Sequence, residues 1–359
     1  MNTYVSDISS VCLLRQARGR PWPRLEECPD HMVANPDASQ SQWWRASVPE
    51  LEPLMTIDSQ NPLHIHVSCR SQRVRASTIA CDVLSPILPS GAFLLAILNG
   101  TGTSVKIDAG PLSFVQLTHR LGRATRDNTL SYAQARALLI DFGMEVTGAY
   151  SRNPFAPASG DCHFSVRPVT YAADIQSWCK DANYVRGIQL ARRIARDVMD
   201  ASRSPMETLH AIVLSSSPEL GGLGLGAPLL NEPLRLNRRQ RGLLQRSKIT
   251  PDLYFPDLGF AIEHQGKGHG TSAQYAEDAY RTQVYAALGI TLFETSQLDV
   301  ETPAAYDRFL HRLTYRTAQD HGVRLGSRLG EILDDPSLRR LRWEVIDALI
   351  DRSIDPWSL

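Results

Sequence analysis

The chain has 359 residues, and its 38 Lys and Arg balance its 38 Asp and Glu, so the formal net charge is zero. That balance excludes a uniformly basic nucleic-acid coat protein, an acidic tail protein and a chain kept disordered by net charge. A hydrophobic content of 43% indicates a folded protein, and the length predicts about two domains. No apolar run of about 18 residues predicts a membrane-spanning helix. Six cysteines without a Cys-x-x-Cys pair indicate reduced thiols, and therefore a cytoplasmic protein.

Residues 1–60 form a poorly patterned N-terminal arm. One short helix is predicted from Ile8 to Arg18, and repeated prolines break any longer element after it. The pair Trp43 and Trp44 is predicted to anchor this arm on the body of the protein.

Residues 61–200 are predicted to be an α/β and helical region. Alternating or buried apolar runs predict strands, and helical spacing of apolar residues predicts helices. The clearest elements are strands at Leu63–Val67 and Phe93–Leu98, a helix after Pro111 and a helix from Tyr132 to Phe142 that ends at Gly143.

His64 and His66 share one face of the first of these strands, as a pair of metal ligands would. No third ligand stands near them in the sequence, which favours a partly exposed strand face instead.

The segment Ser204-Pro205-Met206-Glu207 predicts the start of a helix. Ser204 suits the N-cap, Pro205 the first helical position, and Glu207 stands three residues after the cap, as in a capping box. On that pattern alone, Glu207 closes the end of a helix.

A hairpin is predicted over residues 249–266, because two β-rich runs flank the turn segment Pro256-Asp257-Leu258-Gly259. If Phe255 pairs with Phe260, Asp252 falls opposite Glu263 on the same sheet face. Gln265 points to that face as well. A slip of one residue would separate the two carboxylates.

Two opposed carboxylates repel each other, so a compensating partner is expected. An Arg, a shared proton or a salt bridge at a sheet edge would serve. A divalent cation is the alternative with chemical consequences, because Mg²⁺ (or Mn²⁺) takes carboxylate oxygens and can activate water beside a phosphodiester.

A glycine-rich loop containing Lys267 and His269 follows the hairpin and leads into a helix predicted from about Ala273 to Leu288. On this helix Asp278 and Arg281 stand three residues apart, which is also the spacing of an intrahelical ion pair.

A basic run leads into the Asp252 strand, with no acidic residue among residues 233–251. Beside a carboxylate site such a run would hold phosphates; the alternative is a solvated loop. Its members are Arg235, Arg238, Arg239, Arg241, Arg246 and Lys248.

Residues 301–359 predict a helical C-terminal tail, with two or three amphipathic helices interrupted near Gly326 and Pro336. This tail carries no pattern that points to chemistry.

Together these features resemble the PD-(D/E)xK nuclease superfamily, in the bacterial group related to very-short-patch-repair endonucleases. The likeness covers residues 201–300 and rests on Ser204-Pro205-Met206-Glu207, Asp252-Leu253, Glu263-His264-Gln265-Gly266, His269, and Asp278 with Arg281. Residues 61–200 look more loosely like the region of AbiEi-type abortive-infection antitoxins, most clearly at residues 111–117.

The resemblance implies that Asp252 and Glu263 bind the metal and that Glu207 is an outer or second-metal ligand. It implies phosphate contact or proton transfer by His269. Gln265 stands where the family usually has Lys, and Gln carries no charge. It would orient water, Lys267 or Lys248 would substitute for the missing charge, or the domain would bind nucleic acid without cutting. The nucleic-acid contacts expected are Arg238, Arg239, Arg241, Lys248, Lys267 and Arg281.

The expected fold is α/β, with a C-terminal PD-(D/E)xK-like domain whose central mixed sheet is flanked by helices, and an N-terminal α/β region. The expected function is a Mg²⁺- or Mn²⁺-dependent endonuclease that hydrolyses DNA phosphodiester bonds in phage defence or repair. The alternative is a non-catalytic, antitoxin-like regulator that binds nucleic acid, a toxin or another defence-system protein. A third reading is a structural adaptor.

Overall fold

The computed structural model of the chain describes residues 3–33, 50–100, 102–158, 160–244, 247–265, 272–350 and 356–357. It has a mixed α/β fold that divides into two compact units. The first unit comprises Met1–Asp200 and Arg352–Leu359, and the second comprises Ala201–Asp351. Trp43 and Trp44 lie outside the described residues.

The first unit is built on a six-stranded sheet of order β2-β5-β6-β1-β3-β4. The sheet is mixed, because β1 runs parallel to β6 and β3 parallel to β4, whereas the other neighbours are antiparallel. Its strands are β1 (Tyr4–Val5), β2 (Arg24–Glu27), β3 (Leu63–Val67), β4 (Ile79–Val83), β5 (Phe93–Ile97) and β6 (Ser104–Asp108).

The N-terminal segment contributes more than the single helix that the sequence indicates. Helix α1 (Asp7–Gly19) is present, but β1 also lies in the middle of the sheet, between β6 and β3, and β2 forms one edge. Tyr4 and Val5 are buried. A strand of two residues is too short to display an alternating pattern, which is why the sequence gives no sign of it.

Helices α2 (Gly110–Arg126), α3 (Tyr132–Thr147), α4 (Ala172–Asp181) and α5 (Ile188–Ile194) complete this unit, with the short pair β7 (Tyr150–Ser151) and β8 (His163–Phe164). Phe114, Leu117 and Leu121 of α2 are buried, as their spacing predicts. Helix α3 continues through Gly143, where the sequence predicted its end. A Cβ at Gly143 would lie 2.7 Å from Val198 Cγ2. This glycine therefore allows α3 to pack closely against Val198, and it does not end the helix.

The second unit begins with helix α6 (Pro205–Ser215) and contains a four-stranded mixed sheet of order β14-β13-β12-β9. Strand β13 is antiparallel to β12 and parallel to β14. The sheet strands are β9 (Leu229–Leu230), β12 (Leu253–Phe255), β13 (Phe260–Gln265) and β14 (Thr291–Ser296); β10 (Leu234–Arg235) and β11 (Lys248–Ile249) form a separate pair.

The predicted hairpin register is confirmed. Phe255 pairs with Phe260 and Leu253 with Ile262 around a short 3₁₀ turn at Pro256–Leu258, closed by Gly259 with φ of 58°. One further step of this register places Asp252 opposite Glu263.

Helices α7 (Arg238–Leu244) and α8 (Ser272–Ala287) follow β10 and β13 respectively. Asn237 initiates α7, because its Oδ1 accepts a hydrogen bond from the Gln240 amide while Gln240 Oε1 accepts one from the Asn237 amide. Helix α8 packs through Val284 and Tyr285 against Ala261 of β13.

The tail forms three helices, α9 (Pro303–His321), α10 (Val323–Asp334) and α11 (Pro336–Ile350). The first break falls at Gly322, whose φ is 93°, and Gly326 lies inside α10. Gly326 packs directly on Ala318 of α9, so it marks a close helix crossing and not an interruption.

Within the described part of the chain, the structure contains no helix long and apolar enough to cross a bilayer. All six cysteines are free thiols.

Candidate functional site

Glu207 lies in the first turn of α6 and is held by a set of neutral donors. Its backbone amide donates to Ser204 Oγ at 3.1 Å, which confirms Ser204 as the N-cap. Its carboxylate turns away from the reciprocal capping-box bond and instead accepts from the Arg203 amide at 2.8 Å, from Asn231 Nδ2 at 2.6 Å and from Ser204 Oγ at 3.1 Å. Burial, assisted by the negative charge of Asp252, raises the pKa of Glu207 to about 7.

Asp252 stands directly before β12 and bonds across to β13. Its Oδ2 accepts a hydrogen bond from the His264 amide at 2.9 Å. Its backbone carbonyl accepts from the Asn231 amide at 3.0 Å, which attaches the strand to the β9 side of the sheet. Burial raises the pKa of Asp252, although the His264 amide and the positive charge of Arg281 oppose this effect.

Glu263 is buried on β13 and contacts helix α8. Tyr285 Oη donates to its Oε1 at 2.5 Å, and Arg281 Nη2 lies 2.6 Å from the same oxygen. Burial raises the pKa of Glu263 to about 7; Tyr285 and Arg281 oppose this shift, and the charge of Asp252 adds to it. Arg281 and Tyr285 stand four residues apart on α8, so they lie on one face of the helix and both reach Glu263.

The three predicted carboxylates therefore influence one another electrostatically, with Asp252 acting on both glutamates. They do not form a tight triad. In the described part of the chain, the set of three His, Cys, Asp or Glu side chains with ligand atoms all within 4.8 Å of one another is Asp7, His64 and Asp82, and not Glu207, Asp252 and Glu263.

Gln265 lies on the same face of β13 as Glu263, as predicted, and its side chain is hydrogen-bonded to a residue of β14. Its Nε2 donates to Glu294 Oε1 at 2.8 Å. Glu294 is paired with Glu263 in the parallel register of β13 and β14, which places a further carboxylate beside the site. The sequence did not indicate this residue, because nothing in it fixes the register of two parallel strands joined by a helix.

Only some of the side chains predicted to contact nucleic acid lie in the described part of the structure. Arg238 and Arg241 of α7 and Lys248 of β11 are exposed. Arg281 is turned inward to Glu263, with Nη2 also 3.4 Å from the Thr250 carbonyl. The side chains of Arg239, Asp278, Lys267 and His269 lie outside the described residues, and so does Arg246.

Two residues that contact the candidate carboxylates were given no role from the sequence. Asn231, with φ of 51°, adopts a left-handed conformation that asparagine tolerates, and its side chain links the Ala201 carbonyl to Glu207. Tyr285 lies on α8, and only the packing of α8 on β13 shows its hydroxyl on Glu263.

The opposite face of β13 carries a buried polar network. His264 Nδ1 and His210 Nε2 each lie 3.0 Å from Thr295 Oγ1, and His210 Nδ1 lies 2.6 Å from Tyr306 Oη. Burial lowers the pKa of His210 to about 3, so its imidazole is neutral. We assign this network to the packing of α6 and α9 on the sheet.

His64 and His66 share one face of β3, as predicted, and the structure places further candidate metal ligands beside His64. Asp7 from the start of α1 and Asp82 from β4 lie beside His64, in unit 1. Residues 57 and 18 positions away in the sequence are not recognisable as a set without the sheet order. The sequence signal that could have found them was the alternation of the two histidines itself.

The donor chemistry of Glu207, Asp252 and Glu263 suits a hard divalent cation, since all three supply carboxylate oxygens and are buried or half-buried. Asp252 uses Oδ2 for the His264 amide, and among the described residues no hydrogen bond reaches Oδ1. Oε2 of Glu263 has no described ion pair, because Arg281 and Tyr285 both contact Oε1. The donor atoms thus fit such an ion at Asp252 and Glu263.

Comparison of the chain with protein-family models, with curated proteins and with solved structures gave no match.

Proposed function

We propose that the second unit is a PD-(D/E)xK-like, Mg²⁺- or Mn²⁺-dependent nuclease that hydrolyses DNA phosphodiester bonds. One observation carries the proposal: Asp252 and Glu263 face each other across β12 and β13 while Glu207 is coupled to Asp252 electrostatically. Buried acids with raised pKa values, gathered at one strand pair, are typical of functional sites. The free cysteines agree with a reducing cytoplasm as its location.

Asp252 and Glu263 would hold the ion, and Glu207 would act as an outer ligand, consistent with its three hydrogen bonds to neutral donors. The ion would lower the pKa of a bound water and stabilise charge on the phosphate. Arg281 balances the charge of Glu263 and would contact a phosphate oxygen. Gln265 cannot carry charge, and its amide would orient water after release from Glu294.

The direct test incubates purified protein with plasmid, single-stranded and mismatched DNA in Mg²⁺ or Mn²⁺. We expect metal-dependent cutting by the wild type and a loss on the order of 100-fold or more for Asp252→Asn, because the metal would lose a ligand. Asp257→Asn is the matched control, since Asp257 lies in the exposed turn of the same hairpin. Absence of cutting under every condition, or equal cutting by Asp252→Asn, would overturn the proposal.

A second candidate is a non-catalytic regulator that binds nucleic acid or a toxin of a defence system. The ion pair of Arg281 with Glu263 and the bond of Gln265 to Glu294 favour it, because both engage groups that a nuclease would turn to its substrate. Such a regulator would bind DNA without metal, and Asp252→Asn would bind as tightly as the wild type. A strict requirement for metal in binding would count against it.

A further inference from the structure

A second group of candidate ligands lies in the first unit, formed by Asp7, His64 and Asp82. Nδ1 of His64 lies 3.4 Å from Asp7 Oδ2 and 3.8 Å from Asp82 Oδ2, and the three ligand atoms all lie within 4.8 Å of one another. Ligand atoms that share one ion at about 2.1 Å are separated by roughly 3.0–3.4 Å in octahedral or tetrahedral sites. The two distances from His64 Nδ1 therefore lie at the upper end of this range or about 0.4 Å above it, and the two carboxylate oxygens lie within 4.8 Å of each other.

The histidine nitrogen in this group has no other partner. Nδ1 of His64 is buried and forms no hydrogen bond with any described residue. Both carboxylate oxygens are farther away than a good hydrogen bond allows. A buried polar nitrogen left in this way is unfavourable, and a bound cation would supply the missing partner.

The backbone that carries Asp7 is held in a strained conformation by buried Asp108 and half-buried Gln116. Asp7 has φ of 52°, which is uncommon for a residue with a side chain. Its amide donates to Asp108 Oδ2 at 3.2 Å and to Gln116 Oε1 at 3.0 Å. Strain that the surroundings maintain is concentrated at functional sites.

His66 adds an independent observation in the same cavity. It is 7% exposed, and its Nε2 lies 3.0 Å from Asp108 Oδ1 and 2.9 Å from Gln116 Nε2. Its Nδ1 is buried and has no partner among the described residues. His64, His66, Asp7 and Asp82 all line one cavity of about 480 Å³.

The charges around the cavity are compatible with a bound cation that accepts an anionic ligand. Arg120 forms an ion pair with Asp7 through Oδ2, the same oxygen that lies 3.4 Å from His64 Nδ1, but a carboxylate has about four lone-pair positions, two on each oxygen, so Oδ2 can serve two partners. The cavity is also lined by Arg70, Arg73, Arg123 and Arg186. Arginines of this kind would draw an anion such as phosphate to an open position on the ion.

We propose that Asp7, His64 and Asp82 bind one divalent transition-metal ion in the first unit. An imidazole together with carboxylates suits Zn²⁺ or Mn²⁺, whereas Mg²⁺ prefers oxygen ligands alone. This site is separate from the carboxylates of the second unit, and the proposal does not depend on the nuclease activity.

The test measures Zn²⁺ bound to full-length protein that has been stripped with a chelator, using equilibrium dialysis and elemental analysis. Wild type and the double variant Asp252→Asn/Glu263→Gln, which lacks the second-unit carboxylates, should each bind one tight equivalent at the first unit. His64→Ala and Asp82→Asn should bind on the order of 100-fold more weakly, because each removes a ligand.

His119→Ala is the matched control, because His119 lines the same cavity but is not one of the three ligands. It should bind Zn²⁺ like the wild type. The side chain of Asp82 is 54% exposed, so Asp82→Asn keeps the test valid even if His64→Ala disturbs folding. Loss of all tight binding in the double variant of the second unit, or wild-type binding by Asp82→Asn, would overturn the proposal.

Discussion

Glu145 shows how a single buried charge is kept ionised in the first unit. Its carboxylate accepts hydrogen bonds from Arg15 Nε at 2.9 Å and Nη2 at 2.8 Å, and from the Arg152 amide at 3.0 Å. Burial alone would raise the pKa of Glu145, but Arg15 and then Arg152 reverse that effect and lower it to about 2. Arg152 is shared with Asp141, at 2.6 and 2.7 Å from its two oxygens.

This depressed pKa has a defined consequence for stability. A carboxyl whose pKa is lower in the folded state stabilises the fold fully above its unfolded value near 4.5, and the stabilisation is lost as the pH falls toward 2. We therefore expect Glu145→Gln to be less stable than the wild type at pH 7 by about 3–5 kcal/mol, because it removes the negative charge that Arg15 Nε and Nη2 contact in a buried site. The difference should narrow between pH 4.5 and 2, as measured by urea unfolding across this range.

Glu52→Gln is the control, because Glu52 is exposed. It should follow the wild-type pH dependence. Burial raises the pKa of Asp141, so this residue changes the pH dependence of stability in the opposite direction to Glu145. The quantity to measure is therefore the difference in unfolding free energy between wild type and Glu145→Gln. A difference that stays constant from pH 7 to pH 2 would contradict this account.

At the scale of elements, helix α3 contains Gly143 in its interior, although glycine has a low helix propensity. Glycine costs a helix interior about 1 kcal/mol relative to alanine, so a reason in the packing is required. Gly143 supplies one, since a Cβ there would lie 2.7 and 3.1 Å from the two methyl groups of Val198 and 3.2 Å from the Phe114 ring.

We expect Gly143→Ala to destabilise the first unit by about 1–3 kcal/mol through overpacking, despite its better helix propensity. Gly122→Ala in α2 is the matched control, because a Cβ there meets its nearest atoms at 3.8 Å. That variant should be neutral or stabilising by up to about 1 kcal/mol. Thermal or urea unfolding distinguishes the two, and equal effects would show that packing at Val198 is not the cause.

The elements also show which contacts of the candidate sites could be predicted from the sequence. The β12–β13 hairpin and the register of Asp252 against Glu263 could be predicted because the Pro-Asp-Leu-Gly turn is local. The partner of Gln265 could not, since Glu294 lies on a parallel strand beyond α8. The group of Asp7, His64 and Asp82 could not either, because it depends on the placement of β1, a strand of two residues.

At the scale of the whole molecule, a net charge of zero conceals a local basic surface. Arg238, Arg241 and Lys248 are exposed in a stretch of the second unit that contains no acidic residue from 233 to 251. A neutral chain can therefore still bind a polyanion, through the residues that contact phosphates and not through its overall charge.

If this surface contacts duplex DNA, Arg238→Ala/Arg241→Ala should weaken binding and reduce the slope of log affinity against log salt by about 1.8, since each phosphate contact contributes about 0.9. Arg324→Ala/Arg328→Ala is the matched control, with two exposed arginines four residues apart on α10. Fluorescence anisotropy over a salt series measures the slope. An unchanged slope in the first variant would place DNA binding elsewhere.

Trp357 joins the first unit although the whole of the second unit precedes it in the chain. It is 1% exposed, and its ring packs edge-on to Phe142 with centroids 5.2 Å apart. During synthesis, more than two hundred residues are added after α3 before Trp357 is available to pack against Phe142. The contact between Phe142 and Trp357 can therefore form only after the second unit has been synthesised, and forming it closes a long loop of the chain.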